Sequence, residues 1–366
     1  MSESKQGNAK RLPRYVLVLY GITGVALLVL VIAMISPRFA DAYNRSVGAF
    51  FRAVLSHLTS WIPFSLAEMT LYAAIPAVVV LAVLGCRRYS DSWRSVLVYL
   101  GCILSFAGMV LSVFVLGFGT GHHTHTLDRR LDLPPVEVNA ESLLQTAQSL
   151  CDQLVVLLPE ITYGEDGFSQ MPFDLRGLND ALLDAYEPVC ERYSFVQRLN
   201  SRIKPVLASH AMSYLHITGV YSFYTGEANL NVYFPDYTLP FTAAHELAHQ
   251  RGIARENEAN FIAFLVCAES DDPYVRYSGY MNLLEYVINA LYRTDEQLYM
   301  EFMRSLPDEL KGEMRAYSAF FSEFRDSVAA DISDVVNDTY LKLNGSEAGV
   351  ASYGLVVELA VAYYQK

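Results

Sequence analysis

Residues 245–260 read HELAHQRGIARENEAN, the most informative pattern in the chain. His245 and His249 are four residues apart, so on a helix both imidazoles project from one face and can share one metal ion. Glu246 lies between them, where a carboxylate would stand beside a water on that metal. This spacing is typical of zinc sites in hydrolases. The stretch therefore predicts a helix that carries a catalytic Zn²⁺ centre.

A third protein ligand is expected after the second histidine. On one straight helix Glu256 would lie roughly 10 Å beyond His249, because each residue adds ~1.5 Å of rise. Zinc bonds are only ~2 Å long, so the chain must bend, and Gly252 is where such a helix should end. After the bend Glu256 falls in the first turn of a new helix, and Asn260 follows four residues later as the predicted supporting partner of a ligand. Glu256 is the preferred third ligand, and Glu258 is the alternative.

The paired motifs HELAH and ENEAN resemble those of the gluzincin peptidases, in which a Glu-x-x-x-Asp/Asn helix supplies the third ligand and its partner. The resemblance implies a zinc peptidase whose ligands are His245, His249 and Glu256. It makes Glu246 the general base and Asn260 the supporting residue. The connector is shorter than in gluzincins and closer to the metzincin spacing, with an arginine where a third histidine would stand. The whole string, behind three apolar segments, is also similar to an uncharacterised family of bacterial membrane proteins classed as a domain of unknown function.

Three apolar runs occupy the first third of the chain, at residues 15–35, 63–86 and 95–119, and Glu68 is the only charge within them. Each is long enough for a membrane span of about 20 residues. A cleaved signal peptide with a small-residue site at 40–42 is the alternative for the first run. That run exceeds the roughly 7–15 apolar residues of a signal core. We therefore expect three transmembrane helices, an uncleaved first span, and the lipid bilayer as a partner.

Lysine and arginine near the spans indicate the orientation, because cytoplasmic loops carry more of them. Seven would lie on the same side of the membrane as the N-terminus, before the first span or between the second and third: Lys5, Lys10, Arg11, Arg14, Arg87, Arg88 and Arg94. Five lie on the other side: Arg38, Arg45, Arg52, Arg129 and Arg130. The bias predicts a multi-pass protein of the cell membrane with a cytoplasmic N-terminus and an extracytoplasmic C-terminal part.

The balance of charged residues changes just after the third apolar run. Residues 1–120 hold ten Lys and Arg against four Asp and Glu, whereas the remainder holds 17 against 35. An acidic part of this kind argues against nucleic-acid binding, which requires a basic face. We expect a membrane domain at 1–120 and a soluble zinc metallopeptidase-like domain at 121–366, with a peptide or protein substrate.

Periodicity predicts that the second part is mostly helical with a small sheet. Alternating apolar residues predict strands at 217–224 and 226–234. The second precedes the zinc helix, where an edge strand could pair with extended substrate or simply complete a structural hairpin. The predicted fold class is membrane-anchored and mainly α, with three N-terminal transmembrane helices and a mostly helical, zincin-like α+β domain. The helices with period 3.6 are expected at 139–158, 178–199, 205–214, 256–268, 274–292, 310–343 with a break near 330, and 352–364.

The predicted function is peptide-bond hydrolysis by a zinc-activated water, with Glu246 as general base. Tyr353, His216 and Arg255 are open candidates for stabilising the oxyanion. The alternative is a non-catalytic membrane protein that zinc stabilises and that acts as a sensor or assembly factor. Such a protein would not need a carboxylate at 246.

The histidines and cysteines outside the motif have predictions of their own. The histidines between 122 and 125 are expected in a solvated linker after the third span. Cys151 and Cys190 are the pair that could meet as a disulfide, while Cys267 is expected as a buried thiol.

Overall fold

The computed structural model describes residues 11–325, 327–343 and 354–366. The chain begins with α1 (Arg14–Ile35), α2 (Pro37–Tyr43), α3 (Ala49–Ser60), α4 (Leu66–Arg88) and α5 (Trp93–Gly117). Of these, α1, α4 and α5 are long and apolar enough to cross a membrane, and few of their side chains are buried inside the protein. The three apolar helices predicted from the sequence are thus present, within a few residues of the expected bounds.

The rest of the described chain is mainly helical. The helix α12 lies at the centre of its core, and α7, α10, α11, α13 and α16 pack around it. The helices are α6 (Leu127–Arg130), α7 (Ala140–Leu157), α8 (Leu175–Arg192), α9 (Ser209–Ser213), α10 (Leu239–Gln250), α11 (Glu256–Ala268), α12 (Pro273–Thr294), α13 (Glu296–Ser305), α14 (Asp308–Phe321), α15 (Val328–Leu343) and α16 (Gly354–Tyr364).

A small sheet lies beside α10. Its strands β1 (Lys204–Pro205), β2 (Gly219–Ser222) and β3 (Glu227–Leu230) run in the order β1-β3-β2, with β1 parallel and β2 antiparallel to β3. The strand predicted as the edge is therefore the central one, and it is buried along its length. The edge beside the site is β2. The sequence missed β1 because two residues are too short to show alternation.

Other differences concern the ends of helices. Residues 205–214, predicted as one helix, form the end of β1 and the single turn α9. The long helix expected at 310–343 divides earlier than residue 330, since α14 ends at Phe321 and α15 begins at Val328. The helix α13 was not predicted; the Asp295 side chain caps it by accepting from the Leu298 amide at 3.0 Å.

The loop between the first two apolar helices packs against the rest of the protein. Arg52 on α3 is 2% exposed and donates to the carbonyl and side-chain oxygens of Asn44, both at 2.8 Å. It also donates to the Gly117 carbonyl at 3.3 Å and to Gln197 Oε1 at 3.2 Å. Burial lowers the pKa of Arg52 to about 10. One arginine thus joins the first loop, the end of α5 and the C-terminal part.

The start of α4 is bound to the sheet. Glu227 of β3 accepts from the amides of Leu66 and Ala67, at 3.2 and 2.8 Å, and forms a buried ion pair with Lys204. Glu68 accepts from two backbone amides just after β1, both at 2.8 Å. The one charge in the second apolar run therefore lies in a helical first turn, where it satisfies backbone donors of the C-terminal part.

Candidate metal centre

The helix α10 carries both histidines of the HELAH motif. Pro240 occupies its first turn, where the missing N–H leaves no helical bond unmade, and buried alanines allow close packing against the sheet. The helix ends at Gln250, and Gly252 follows with φ at +96°, a backbone conformation that favours glycine. The amide of Ile253 then returns to the Ala248 carbonyl at 3.1 Å. The bend predicted at Gly252 is confirmed, and α11 begins four residues later.

The bend brings Glu256 to the two histidines. His245 Nε2 lies 3.2 Å from Glu256 Oε2, and His249 Nε2 lies 3.4 Å from Glu256 Oε1. One ligand atom from each residue lies within 4.8 Å of the others. Two atoms that are each ~2.1 Å from one tetrahedral ion are about 3.4 Å apart. These separations fit one ion of the size of zinc, and two nitrogens with a carboxylate oxygen are ligands that zinc accepts.

A hydrogen bond at Nδ1 orients the His249 imidazole for this role, whereas none forms at Nδ1 of His245 within the described residues. His249 Nδ1 lies 2.7 Å from the Ile253 carbonyl, so Nδ1–H donates there and Nε2 is left facing Glu256. His245 Nδ1 is buried without a hydrogen-bond partner in the described part of the chain. Burial alone lowers the pKa of His249, but the Glu256 carboxylate raises it to about 9, and the imidazoles hold the pKa of Glu256 well below its usual value despite burial. A bound cation would take the place of that proton.

Glu246 lies under the edge strand, next to the cluster. Its side chain is 4% exposed, and its Oε2 has no hydrogen-bond partner within the described residues. A Cβ atom on Gly219 of β2 would come 2.7 Å from its Cγ, so only glycine admits the carboxylate here. Burial raises the pKa of Glu246 to about 7, while both imidazoles and the Tyr221 backbone act to lower it. The carboxylate can therefore hold a proton close to neutral pH.

The two other predicted residues of α11, Glu258 and Asn260, are not part of the histidine–glutamate cluster. Glu258 is on another face of α11, where its Oε1 accepts from Arg255 at 2.6 Å and from the Leu127 amide at 3.0 Å. It is buried rather than solvated, and the convergent cluster contains Glu256 instead. Asn260 faces the site cavity with Nδ2 buried and unpartnered in the described structure. The hydrogen bond predicted from it to a ligand is not formed.

The site opens into a cavity of about 740 Å³. Polar residues of α12 line part of its wall at intervals of three or four, namely Asn282, Glu285 and Asn289. Glu285 accepts from the Tyr237 hydroxyl at 2.9 Å, and burial raises its pKa to about 7. Asp334 of α15 lines the same cavity. The sequence analysis missed these residues, although polar residues at 282, 285 and 289 in a helix that is otherwise largely apolar mark one polar face.

Comparison with known proteins places the chain in a family. The profile of a family described as "Protein of unknown function (DUF3810)" matches residues 43–361, which include both site helices and the sheet. The chain belongs to this family. No curated protein and no solved structure matches it.

The segment that follows α5 in this DUF3810 chain is buried, contrary to the expected solvated linker. Residues Gly119–His123 form a 3₁₀ turn beneath the bend, where a Cβ atom on Gly121 would come 2.9 Å from that of Ala254. His122 is 6% exposed, and burial lowers its pKa to about 3. His125 Nδ1 pairs with Asp41 of α2. The segment therefore ties α5 and the first loop to the site helices.

The three residues considered for stabilising the oxyanion differ in their positions relative to the cavity. His216 lines the cavity with its Nε2 2.8 Å from the Phe324 carbonyl. Arg255 is engaged with Glu258 and with the Thr124 carbonyl at 2.7 Å. Tyr353 lies outside the described residues.

The cysteines take no part in the site. Cys151 and Cys190 are both free thiols in the structure, so the disulfide considered for them is not formed. Cys267 is a buried thiol, as expected.

Proposed function

We propose that this DUF3810 protein is a membrane-bound zinc peptidase. One observation carries the proposal: the Nε2 atoms of His245 and His249 face the two oxygens of Glu256 at 3.2 and 3.4 Å, while Glu246 of the same helix holds an unpartnered oxygen beside them. Buried polar atoms without partners are rare in proteins, so their convergence in a cavity indicates a ligand.

The residues divide the work of hydrolysis among them. His245, His249 and Glu256 would hold the zinc, with the Ile253 carbonyl fixing the second imidazole. Zinc there would act as a Lewis acid that polarises a peptide carbonyl and lowers the pKa of a water from ~15.7 to ~7. Glu246 would take the proton of that water and return it to the leaving amine. A nearby cation lowers the pKa of Glu246, which keeps the carboxylate ionised and able to accept.

The edge strand β2 offers a binding place for peptide substrate. In an antiparallel pair, residues alternate between hydrogen-bonding inward and outward. The Asn231 amide bonds the Thr218 carbonyl at 2.9 Å, and Val220 pairs with Asn229, so Gly219 and Tyr221 direct their backbone groups away from β3. An extended peptide can add along that edge. It would then run past Glu246 and the metal ligands.

The proposal extends to the arrangement of the chain. A bent helix pair with two histidines and a glutamate, beside a small sheet whose strand β2 has a neighbouring strand on one side only among the described residues, supports a zincin-like fold for residues 121–366. We propose that residues 1–120 anchor this part as a membrane domain. The charge bias near the spans supports a cytoplasmic N-terminus and an extracytoplasmic site.

The substitution Glu246→Gln tests catalysis apart from metal binding. Gln keeps the volume of the side chain and contributes no base, so we expect unchanged zinc content and hydrolysis slower by about 10²- to 10⁴-fold. The measurements are elemental analysis and cleavage of a fluorogenic pool of randomised peptides by purified protein in vesicles. Wild-type protein that holds zinc but cleaves nothing would favour the non-catalytic sensor or assembly factor instead.

A further inference from the structure

The metal ligands lie directly against the end of the third apolar helix. Phe118 is the first residue after α5, and its ring meets that of His249 edge-on at a centroid distance of 5.8 Å. Phe114, one turn earlier in α5, lines the same cavity as Phe118 and the ligands. With 25 residues, α5 is about 37 Å long against about 30 Å of hydrocarbon. Its end, and with it the metal centre, therefore lies within roughly one or two helical turns of the hydrocarbon boundary.

Aromatic side chains in and just after the edge strand β2 pack against the C-terminal end of α5. The ring of Tyr221 lies 5.2 Å from that of Phe118, and the ring of Phe223 lies 5.2 Å from that of Phe114. A peptide strand added to β2 would lie ~5 Å from it. The scissile bond of such a peptide would therefore be only ~10 Å from the end of the apolar helix, which an extended chain covers in about three residues.

The helix α3 supplies a second, independent indication of the membrane plane. Its inner face is buried and polar: Thr59 accepts from Lys204 Nζ at 2.8 Å through its carbonyl, and Arg52 binds the C-terminal part. Its outer face exposes apolar side chains at intervals of three or four. These are Phe50, Val54 and Leu58, and the row continues with Val47 in the turn before the helix and Trp61 just after it, which is 78% exposed.

This apolar face fits a lipid surface. At 12 residues, α3 is too short to span a bilayer, but it lies between two helices of spanning length. A short helix with one apolar face and a tryptophan at its end is typical of a segment lying in the membrane interface. Because Arg52 also lies against the bend at Gly252, the helix that carries this apolar face supports the metal site as well.

We infer that the substrate is a membrane-anchored polypeptide, cut within a few residues of its anchor at the bilayer surface. The inference rests on the proposed peptidase function. The segment next to the anchor would extend along β2, where water adds to the peptide carbonyl, the C–N bond breaks, and the leaving amine takes a proton. A substrate anchored in the same bilayer reaches this edge without a long spacer.

The test uses full-length protein reconstituted in phosphatidylcholine vesicles. The probes are randomised octapeptides with a cleavage-released fluorophore, joined to a polyleucine membrane helix by a Gly/Ser spacer of about 3 or about 24 residues. Both anchored probes are held in the same membrane as the enzyme, and that alone would speed their cleavage equally. The comparison of spacers therefore tests how close to the anchor the enzyme cuts. We expect the short-spacer probe to be cut at least as fast as the long one, and an unanchored pool at least about tenfold more slowly.

Three outcomes would overturn the inference. If the unanchored pool is cut as fast as the anchored ones, or if cleavage requires the long spacer, the inference alone fails. If zinc-loaded protein cuts none of the pools, the proposed peptidase function fails and the inference falls with it. Background from other proteases is removed by subtracting the rate of Glu246→Gln.

A second measurement needs no catalysis. A fluorophore attached at Val220→Cys on β2 should be quenched by lipids that carry a nitroxide near the headgroup, to an extent similar to one at Trp61→Cys. The control is Met300→Cys on α13, an exposed position whose helix packs mainly on α12 and α7. Quenching at 220 as weak as at 300 would place the site away from the bilayer and contradict the inference.

Discussion

Glu256 and Glu258 are two residues apart on α11, yet their carboxylates serve different parts of the protein. Glu256 faces both histidines, whereas Glu258 bonds Arg255 and the Leu127 amide. The sequence motif identifies both as candidates, but spacing alone does not determine which face of α11 points toward the two histidines. That depends on the backbone conformation at Gly252.

The matched pair Glu256→Gln and Glu258→Gln separates these roles. We expect Glu256→Gln to weaken zinc affinity by more than the roughly 10- to 100-fold typical of losing a supporting group. Glu258→Gln should keep full zinc content but lower the free energy of unfolding by about 3 kcal/mol, because Arg255 loses a buried partner. Zinc titration and thermal unfolding check both. The reverse order would assign the third ligand to Glu258.

Asn260 provides a finer test at the same site. Its Nδ2 is buried in the cavity and bonds none of the three ligands. We therefore expect Asn260→Ala to leave zinc stoichiometry unchanged and to weaken zinc affinity by less than the roughly 10- to 100-fold typical of losing a group bonded to a ligand. A loss of zinc comparable to that of Glu256→Gln would instead support the ligand hydrogen bond that the sequence predicted.

At the scale of elements, the bend between α10 and α11 builds the site. The sequence predicts it well, because helix rise, bond length and one glycine are local quantities. The sheet is harder to predict: β1 is two residues long, and only its parallel pairing with β3 makes β3 the central strand. The sequence of α12 shows one polar face, but the packing of that helix decides that this face meets the cavity.

The substitution Gly252→Ala should damage the bend. Alanine at φ +96° costs roughly 1–2 kcal/mol, and its Cβ would lie 2.5 Å from Arg52 Nη2. We expect a lower melting temperature and reduced zinc content. The control is Gly312→Ala in α14, where nothing lies within 4 Å of the new Cβ and helix propensity predicts a gain of about 0.5–1 kcal/mol. Equal behaviour of the two variants would show that the bend tolerates a side chain.

For the whole molecule, the first loop and the C-terminal part form one packed unit on one side of the apolar helices. Composition predicted the helices themselves, because a run of about 20 apolar residues is a strong signal. It could not predict that Arg52 and Glu68 are held by the C-terminal part. The loop arginine counted as a topology signal is thus a buried structural residue.

Cysteine labelling tests this arrangement. Engineered cysteines at the exposed positions Ser46 and Asp331 should react from the same side of the membrane, and one at Ser90, between α4 and α5, from the other. With an impermeant reagent on intact cells, the charge bias predicts that Ser46→Cys and Asp331→Cys react and that Ser90→Cys reacts only after lysis. The reverse pattern would invert the orientation. Labelling of Ser46→Cys and Asp331→Cys from opposite sides would contradict the packing itself.

Zinc content tests the metal centre most directly. Full-length protein purified without chelator should contain about one zinc per chain by elemental analysis. His245→Ala and His249→Ala should each remove it, and Glu246→Gln should retain it. A wild-type protein without bound transition metal, or histidine variants that keep the zinc, would contradict the assignment of His245, His249 and Glu256 as the metal ligands.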